Sequence, residues 1–185
     1  MNTADLKFAI RIGEFRIDPN PSTKKGAYAN EMLFDWDPAF SMNDRKRYSA
    51  MVYFIIVDGR IMKIGQTSPK NGIRGSVNFY VKAGFDTPGA NRFAINALIR
   101  REIAIGSRVE FYIQRMEPVE FEFPGIDRTE KIMACPDGKI MEQVCKRQYH
   151  DRMGEHPPWN FQERHEEIPN DIQESHRKYL LEIVK

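Results

Sequence analysis

Two short apolar runs on either side of Asp58-Gly59 constrain this chain more than any other stretch. Val52–Val57 and Ile61–Ile64 are rich in β-branched residues, and the segment Met51–Arg74 reads MVYFIIVDGRIMKIGQTSPKNGIR. Asp-Gly between such runs predicts a tight type I′ hairpin, because both turn positions need a positive φ. The first predicted strand carries a tyrosine, Tyr53, and the second a lysine, Lys63, in otherwise apolar surroundings. An arginine, Arg74, follows in a helix-like stretch. A hairpin presenting tyrosine and lysine, with an arginine after it, has the donors to hold a phosphate.

The rest of the chain arranges itself around that hairpin. Leu6–Ile17 alternates well enough for an N-terminal strand or paired strands, and Pro19–Gly26 has turn and loop chemistry. Asn30–Phe40 is aromatic and acidic, and Asp44–Arg47 is a basic knot. Residues 1–47 are therefore expected to form an arm, with a core over 48–160 and a helical tail over 161–185. Within the core, Gly72–Ala83 is expected as a short helix stopped at Gly84, and Phe85–Gly89 as a turn. Ala90–Ile105 has strong amphipathic helical spacing, and Arg108–Met116 alternates as a strand. Pro118–Arg128 is expected to be irregular or an edge, Lys139–Arg152 a helix, and Ile168–Val184 a final amphipathic helix. The expected fold is α+β: a small three-stranded antiparallel sheet flanked by helices.

Bulk properties narrow the class. At 185 residues the chain is long enough to bury a real core, and 41% hydrophobic with 29% charged is ordinary for a globular protein. No apolar run approaches the ~18 residues of a membrane span. The N-terminus has neither the basic n-region nor the small-residue cleavage site of a secretory signal. Two cysteines, Cys135 and Cys145, suit a reduced compartment better than a disulfide framework. A cytoplasmic location is expected. Between Arg60 and Arg115 ten Lys/Arg stand against three acids, in a chain of net charge +2. A basic middle inside an acidic remainder points to a polyanion-facing surface, although a solvated helix face explains the charge equally well.

At this point the residues carry a resemblance. Val52-Tyr53-Phe54, then Lys63-Ile64-Gly65, then Arg74, then an acid in a later helix, resembles the GIY-YIG nucleases, and the order of elements is that family's order. The match spans roughly Met51–Asn160. It is closest to the type II restriction-endonuclease branch, where lysine replaces the tyrosine of the second motif. Around Tyr53 the chain departs from the family name, with Tyr-Phe-Ile in place of the glycine-isoleucine pattern.

The resemblance implies a divalent-metal-dependent endonuclease acting on duplex DNA. Phosphodiester hydrolysis needs an activated water and a cation on the developing charge. Tyr53 is then the expected proton acceptor, acidified by a neighbouring Lys63 ammonium. Arg74 grips the scissile phosphate, and Glu142 holds one divalent ion, Mg²⁺ with Mn²⁺ as a substitute, which needs few carboxylates. Tyr80 is expected to join the catalytic set, with Asn78 or simple core packing as alternatives. DNA contacts are expected from Gln66, Lys70, Asn78, Lys82, Arg92 and the late asparagine, Asn160. Lys24, Lys25 and Arg45–Arg47 read equally as phosphate contacts or as solvated charges, and base reading is expected in the arm Lys24–Arg47, the Lys82–Arg92 turn or the Glu117–Cys135 loop. Cutting both strands with one small site per chain implies a homodimer on a two-fold DNA site; the C-terminal helix is the expected contact.

Taken singly, these residues have plainer readings. Tyr53 reads as strand packing with a wet hydroxyl, Arg74 as surface charge, and Glu142 as an exposed helix acid with Glu130 as its competitor. Lys63 is the odd one, since lysine is rarely buried. A zinc site from Cys135, Cys145, His150 and His156 lacks a close cysteine pair. A ββα-metal nuclease site built on His150, Asn160 and His165 lacks its framing strands. A homing or repair nuclease, or a non-catalytic DNA-binding accessory protein, are the alternatives to a restriction enzyme.

Overall fold

A computed structural model describes residues 1–21, 28, 30–47, 49–67, 72–84 and 87–183. Lys70, Lys24 and Lys25 lie outside the described residues, as do Phe85 and Asp86 of the expected turn. The class is α+β, as expected, but the sheet is larger than three strands. Strands β1 (Ile10–Pro21), β2 (Asn30–Trp36), β3 (Met51–Val57), β4 (Arg60–Thr67) and β5 (Val109–Arg115) form one antiparallel sheet in the order β2-β1-β5-β3-β4. The expected trio β5-β3-β4 is its heart, and residues expected as an arm supply the other two strands. The reason is visible in β5: a strand with β3 on one side alone would leave its other edge bare, and β1 pairs with it from Ile10↔Ile113 to Phe15↔Val109.

Strand β3 is the central element. All seven of its residues are buried, which is why it reads as an unbroken apolar run rather than an alternation. Tyr53, Ile55 and Val57 face the larger core cluster, with Ile73, Val77, Tyr80, Ile95 and Ile99. These come from α2 (Gly72–Val81) and α3 (Ala90–Ala104). Val52, Phe54 and Ile56 face the opposite cluster, closed by Met141, Cys145 and Tyr149 of α4 (Gly138–Met153). The hairpin turn has the expected backbone, with φ of 45° at Asp58 and 81° at Gly59.

Three further differences bear on the expectations. A helical turn, α1 (Met42–Lys46), capped by Ser41, precedes the hairpin. The segment expected to be irregular is a separate two-stranded sheet, β6 (Val119–Pro124) with β7 (Thr129–Ala134). The alternation of Val119, Phe121 and Phe123 is that of a real strand, whose partner β7 carries too little pattern to read. After a short α5 (Phe161–Arg164), the last helix α6 (Asn170–Ile183) packs Ile172 and Tyr179 against Phe93, Ala94 and Ala97 of α3. The apolar face of α6, a candidate for packing onto a partner or the core, meets the chain's own core.

Candidate active site at the edge of strand β4

Strand β4 ends the sheet, and its outer edge is where polar side chains converge. Antiparallel register sets Lys63 opposite Ile55 and Gly65 opposite Tyr53. Directly opposed residues share a face, so Lys63 and Tyr53 project to the same side, diagonally placed rather than opposed. Gly65 is required there. A Cβ on it would stand 2.3 Å from the Tyr53 Cζ and hydroxyl oxygen, so the phenol ring lies across the bare backbone of β4.

The ring ends at a second phenol. Tyr53 and Tyr80 are buried and their hydroxyls lie 2.6 Å apart, one donating to the other. Burial raises the Tyr53 pKa; the hydrogen bond from Tyr80 opposes this, and the charge of Glu142 adds to it. Tyr80 is pushed well above its ordinary value by burial and by Tyr53. The expected acidification of Tyr53 by Lys63 is therefore not found: low polarity holds both phenols protonated. Lys63 itself is the group brought toward neutrality. Burial, then repulsion from Lys146, lowers it to about 8, against the attraction of Glu163 and Glu142.

The chain past α4 crosses the β4 edge and pins the site. Trp159 N–H donates to the Met62 carbonyl at 2.8 Å. Asn160 acts as a strand residue: its Oδ1 accepts from Ile64 N–H at 2.9 Å, and its Nδ2 donates to the Ile64 carbonyl at 3.0 Å. Asn160 is 2% exposed, so it is a clamp on the edge strand and not an open DNA contact.

Helix α4 supplies the acid. Asp137 caps its start, and Gly154, at φ 76°, ends it. Met141, Cys145 and Tyr149 recur one turn apart and bury against the sheet, which turns the neighbouring stripe of Glu142 and Lys146 over the β4 edge. A cavity of about 100 Å³ is lined there by Lys63, Glu142, Lys146, Asn160 and Glu163. It continues into a wider groove of about 610 Å³ bordered by Gln66, Lys139, Arg147, His150 and His156. Lys146 Nζ is 2.6 Å from Glu142 Oε1 and also pairs with Glu163. Burial alone would raise the Glu163 carboxyl, but Lys146 and the Asn160 amide hold it below the usual range.

Two carboxylates already converge on one cation here, which fits a hard divalent ion that keeps most of its water. Among the described residues there is no group of three or more His, Cys, Asp or Glu placed to hold a metal, so a site with many protein ligands does not fit. No helix among those residues is long and apolar enough to cross a membrane.

No family model and no curated protein matches the chain. Solved structures are similar, among them these two. One is a mutant of bacteriophage T4 EndoII, 20% identical over 86% of this chain and 98% of that one, with a TM-score of 0.49. The other is restriction endonuclease HPY188I in complex with product DNA, 13% identical over 85% and 84%, with a TM-score of 0.44.

Of the residues singled out from sequence, Tyr53, Tyr80, Lys63, Glu142, Gln66 and Asn160 gather around this edge. Arg74 does not join them: it is exposed on α2 and lines neither cavity. Asn78 is half-buried on the same helix, and Lys82 is exposed just beyond it. Arg92 is occupied locally, stacked 4.5 Å over the Phe79 ring and donating to the Phe79 carbonyl. Arg45 stacks on Trp36 at 4.6 Å, and Arg47 pairs with Glu117. Lys146 and Glu163 were missed. Their signals were the Glu142–Lys146 spacing of four on a helix and an acid three residues after Asn160.

Proposed function

We propose that this chain is a divalent-metal-dependent endonuclease that hydrolyses phosphodiester bonds in duplex DNA, in the manner of a type II restriction enzyme acting as a homodimer. The observation that carries the reading is the cavity at the β4 edge, where a partly buried lysine of depressed proton affinity shares a wall with Glu142. Lysine in apolar surroundings is costly, and such placement marks functional sites.

Glu142 would hold the cation, with Glu163 beside it paired to Lys146. When bound, that ion supplies charge stabilisation to the developing phosphorane and an acidic water. Lys63, its pKa lowered to about 8, can take or give a proton beside the reacting phosphate. The phenols of Tyr53 and Tyr80 line neither cavity; hydrogen-bonded to each other in the core, they brace β4 behind it. Asn160 fixes the edge strand against which the phosphate would lie. Lys139 and Arg147 along the groove, with Gln66 at its mouth, suit a DNA backbone. Arg74, Lys82 and Lys70 remain assigned to substrate contact.

Two observations favour a non-catalytic DNA-binding protein instead: Arg74 stands apart from the cavity and both phenols are held protonated. Plasmid nicking with Mg²⁺ by wild type, Lys63→Ala and Glu142→Ala decides between them. Cleavage by wild type that falls at least about a hundredfold in both variants supports the nuclease. Binding of DNA without nicking under any divalent ion overturns it.

A further inference from the structure

Lys146 occupies the position a bound cation would take. Its ammonium lies 2.6 Å from Glu142 Oε1, one helical turn earlier, and pairs with Glu163 across the cavity. The three side chains are 14%, 18% and 28% exposed, so water screens them only in part. The two carboxylates are held differently. Glu142 rides on α4, whereas Glu163 is tied through its second oxygen to Asn160 Nδ2 at 3.4 Å, and Asn160 is clamped to β4. Lys63 lines the same cavity and repels Lys146.

Two ammonium groups and two carboxylates leave this cluster balanced without any metal. A divalent ion arriving at Glu142 brings two further positive charges to a partly buried place, and Lys146 cannot keep its contact there. We propose that Lys146 is a resident counter-ion that a divalent cation displaces from Glu142, and that Glu163 is the partner retaining the displaced ammonium. This rests on the reading of Glu142 as the metal-binding carboxylate. Lys146 and Glu163 are thus positioning residues that set metal affinity from opposite sides. Removing the competitor strengthens binding. Removing its other partner leaves Lys146 committed to Glu142 and weakens binding.

The test is calorimetric titration of Mn²⁺ into the full-length protein without DNA, with folding of each variant checked by circular dichroism. Lys146→Met should bind roughly tenfold tighter than wild type and Glu163→Gln several-fold weaker, the size expected for partly desolvated charge pairs. Lys146→Gln keeps a hydrogen bond without the charge and should match Lys146→Met. The double variant Lys146→Met/Glu163→Gln should bind like Lys146→Met, because Glu163 matters only through the lysine. Unchanged or weaker binding in both lysine variants overturns the proposal. So does a double variant as weak as Glu163→Gln, which makes Glu163 a ligand. Glu142→Gln separates the two readings. Lost Mn²⁺ binding in that variant upholds the metal assignment even if the lysine variants overturn the counter-ion, whereas unchanged binding overturns both.

Discussion

The hydroxyls of Tyr53 and Tyr80 lie 2.6 Å apart inside the protein, each the other's partner. A buried hydroxyl stripped of its partner costs about 1–3 kcal/mol, whereas removing both partners together is far less harmful. Tyr53→Phe and Tyr80→Phe should each lower stability by that amount, and the double variant should recover much of the loss. Urea denaturation of the four proteins measures the coupling directly. Full additivity of the two single losses would mean that the hydroxyls do not interact.

Lys63 makes a prediction about pH. Its folded pKa of about 8 lies below the ordinary 10.5, so between these values the unfolded chain binds more protons and stability rises with pH. Below pH 8 the lysine is charged in both states and its burial costs the full amount. Lys63→Met should therefore be more stable than wild type at pH 7, by roughly 2 kcal/mol. The advantage should shrink steadily from pH 8 to 10.5, while DNA cleavage is lost throughout. Denaturant midpoints at pH 7, 9 and 10.5 check the sign.

Asn160 replaces the missing neighbour of β4. Asn160→Ala removes both hydrogen bonds to Ile64 and leaves a buried N–H and carbonyl unpaired, a loss of about 2–4 kcal/mol. Asn160→Asp, when ionised, sets a carboxylate oxygen against the Ile64 carbonyl and Glu163, so it should be at least as destabilised as Asn160→Ala and recover only where the carboxyl is protonated and can donate. Amide hydrogen exchange at Ile64 should rise with Asn160→Ala more than exchange at Phe54, one strand further in.

How far this site was legible in the sequence varies by residue, for physical reasons. Asp58-Gly59 dictates its turn locally, and the seven buried residues of β3 announce a central strand, so the hairpin and its two polar residues could be read at once. Helix α4 could be bounded too, from Asp137 and Gly154 at its ends. The register was not legible. Lys63 and Tyr53 share a face only because the register shifts by one residue between Ile55 and Ile56; without the shift Lys63 would oppose Phe54 and project to the other side, and no composition rule places a bulge. The proton affinities were misjudged for the same reason. A neighbouring lysine acidifies a tyrosine, but here burial raises the Tyr53 pKa with only the Tyr80 hydrogen bond opposing it, and burial lowers that of Lys63, so both groups are driven toward their neutral forms. Arg74 shows the remaining limit: helical position alone does not say which face of α2 meets the cavity.

Gly65 offers the sharpest test of how the phenol is held. A methyl group there would meet the Tyr53 Cζ and hydroxyl oxygen at 2.3 Å, with Cε2 at 2.8 Å, distances that no small backbone adjustment absorbs. The obstacle is the end of one side chain, so the ring can swing away, but only by abandoning Tyr80 and disturbing its packing against Phe111, 5.0 Å between centroids. Gly65→Ala should cost about 1–3 kcal/mol, the usual range for overpacking a filled interior. Tyr53→Ala is destabilising in its own right, by cavity formation, yet it removes the atoms that the added methyl would strike. Adding Gly65→Ala to Tyr53→Ala should therefore cost almost nothing further. A double variant as destabilised as the sum of its parts would mean that the glycine serves the β4 backbone and not the tyrosine.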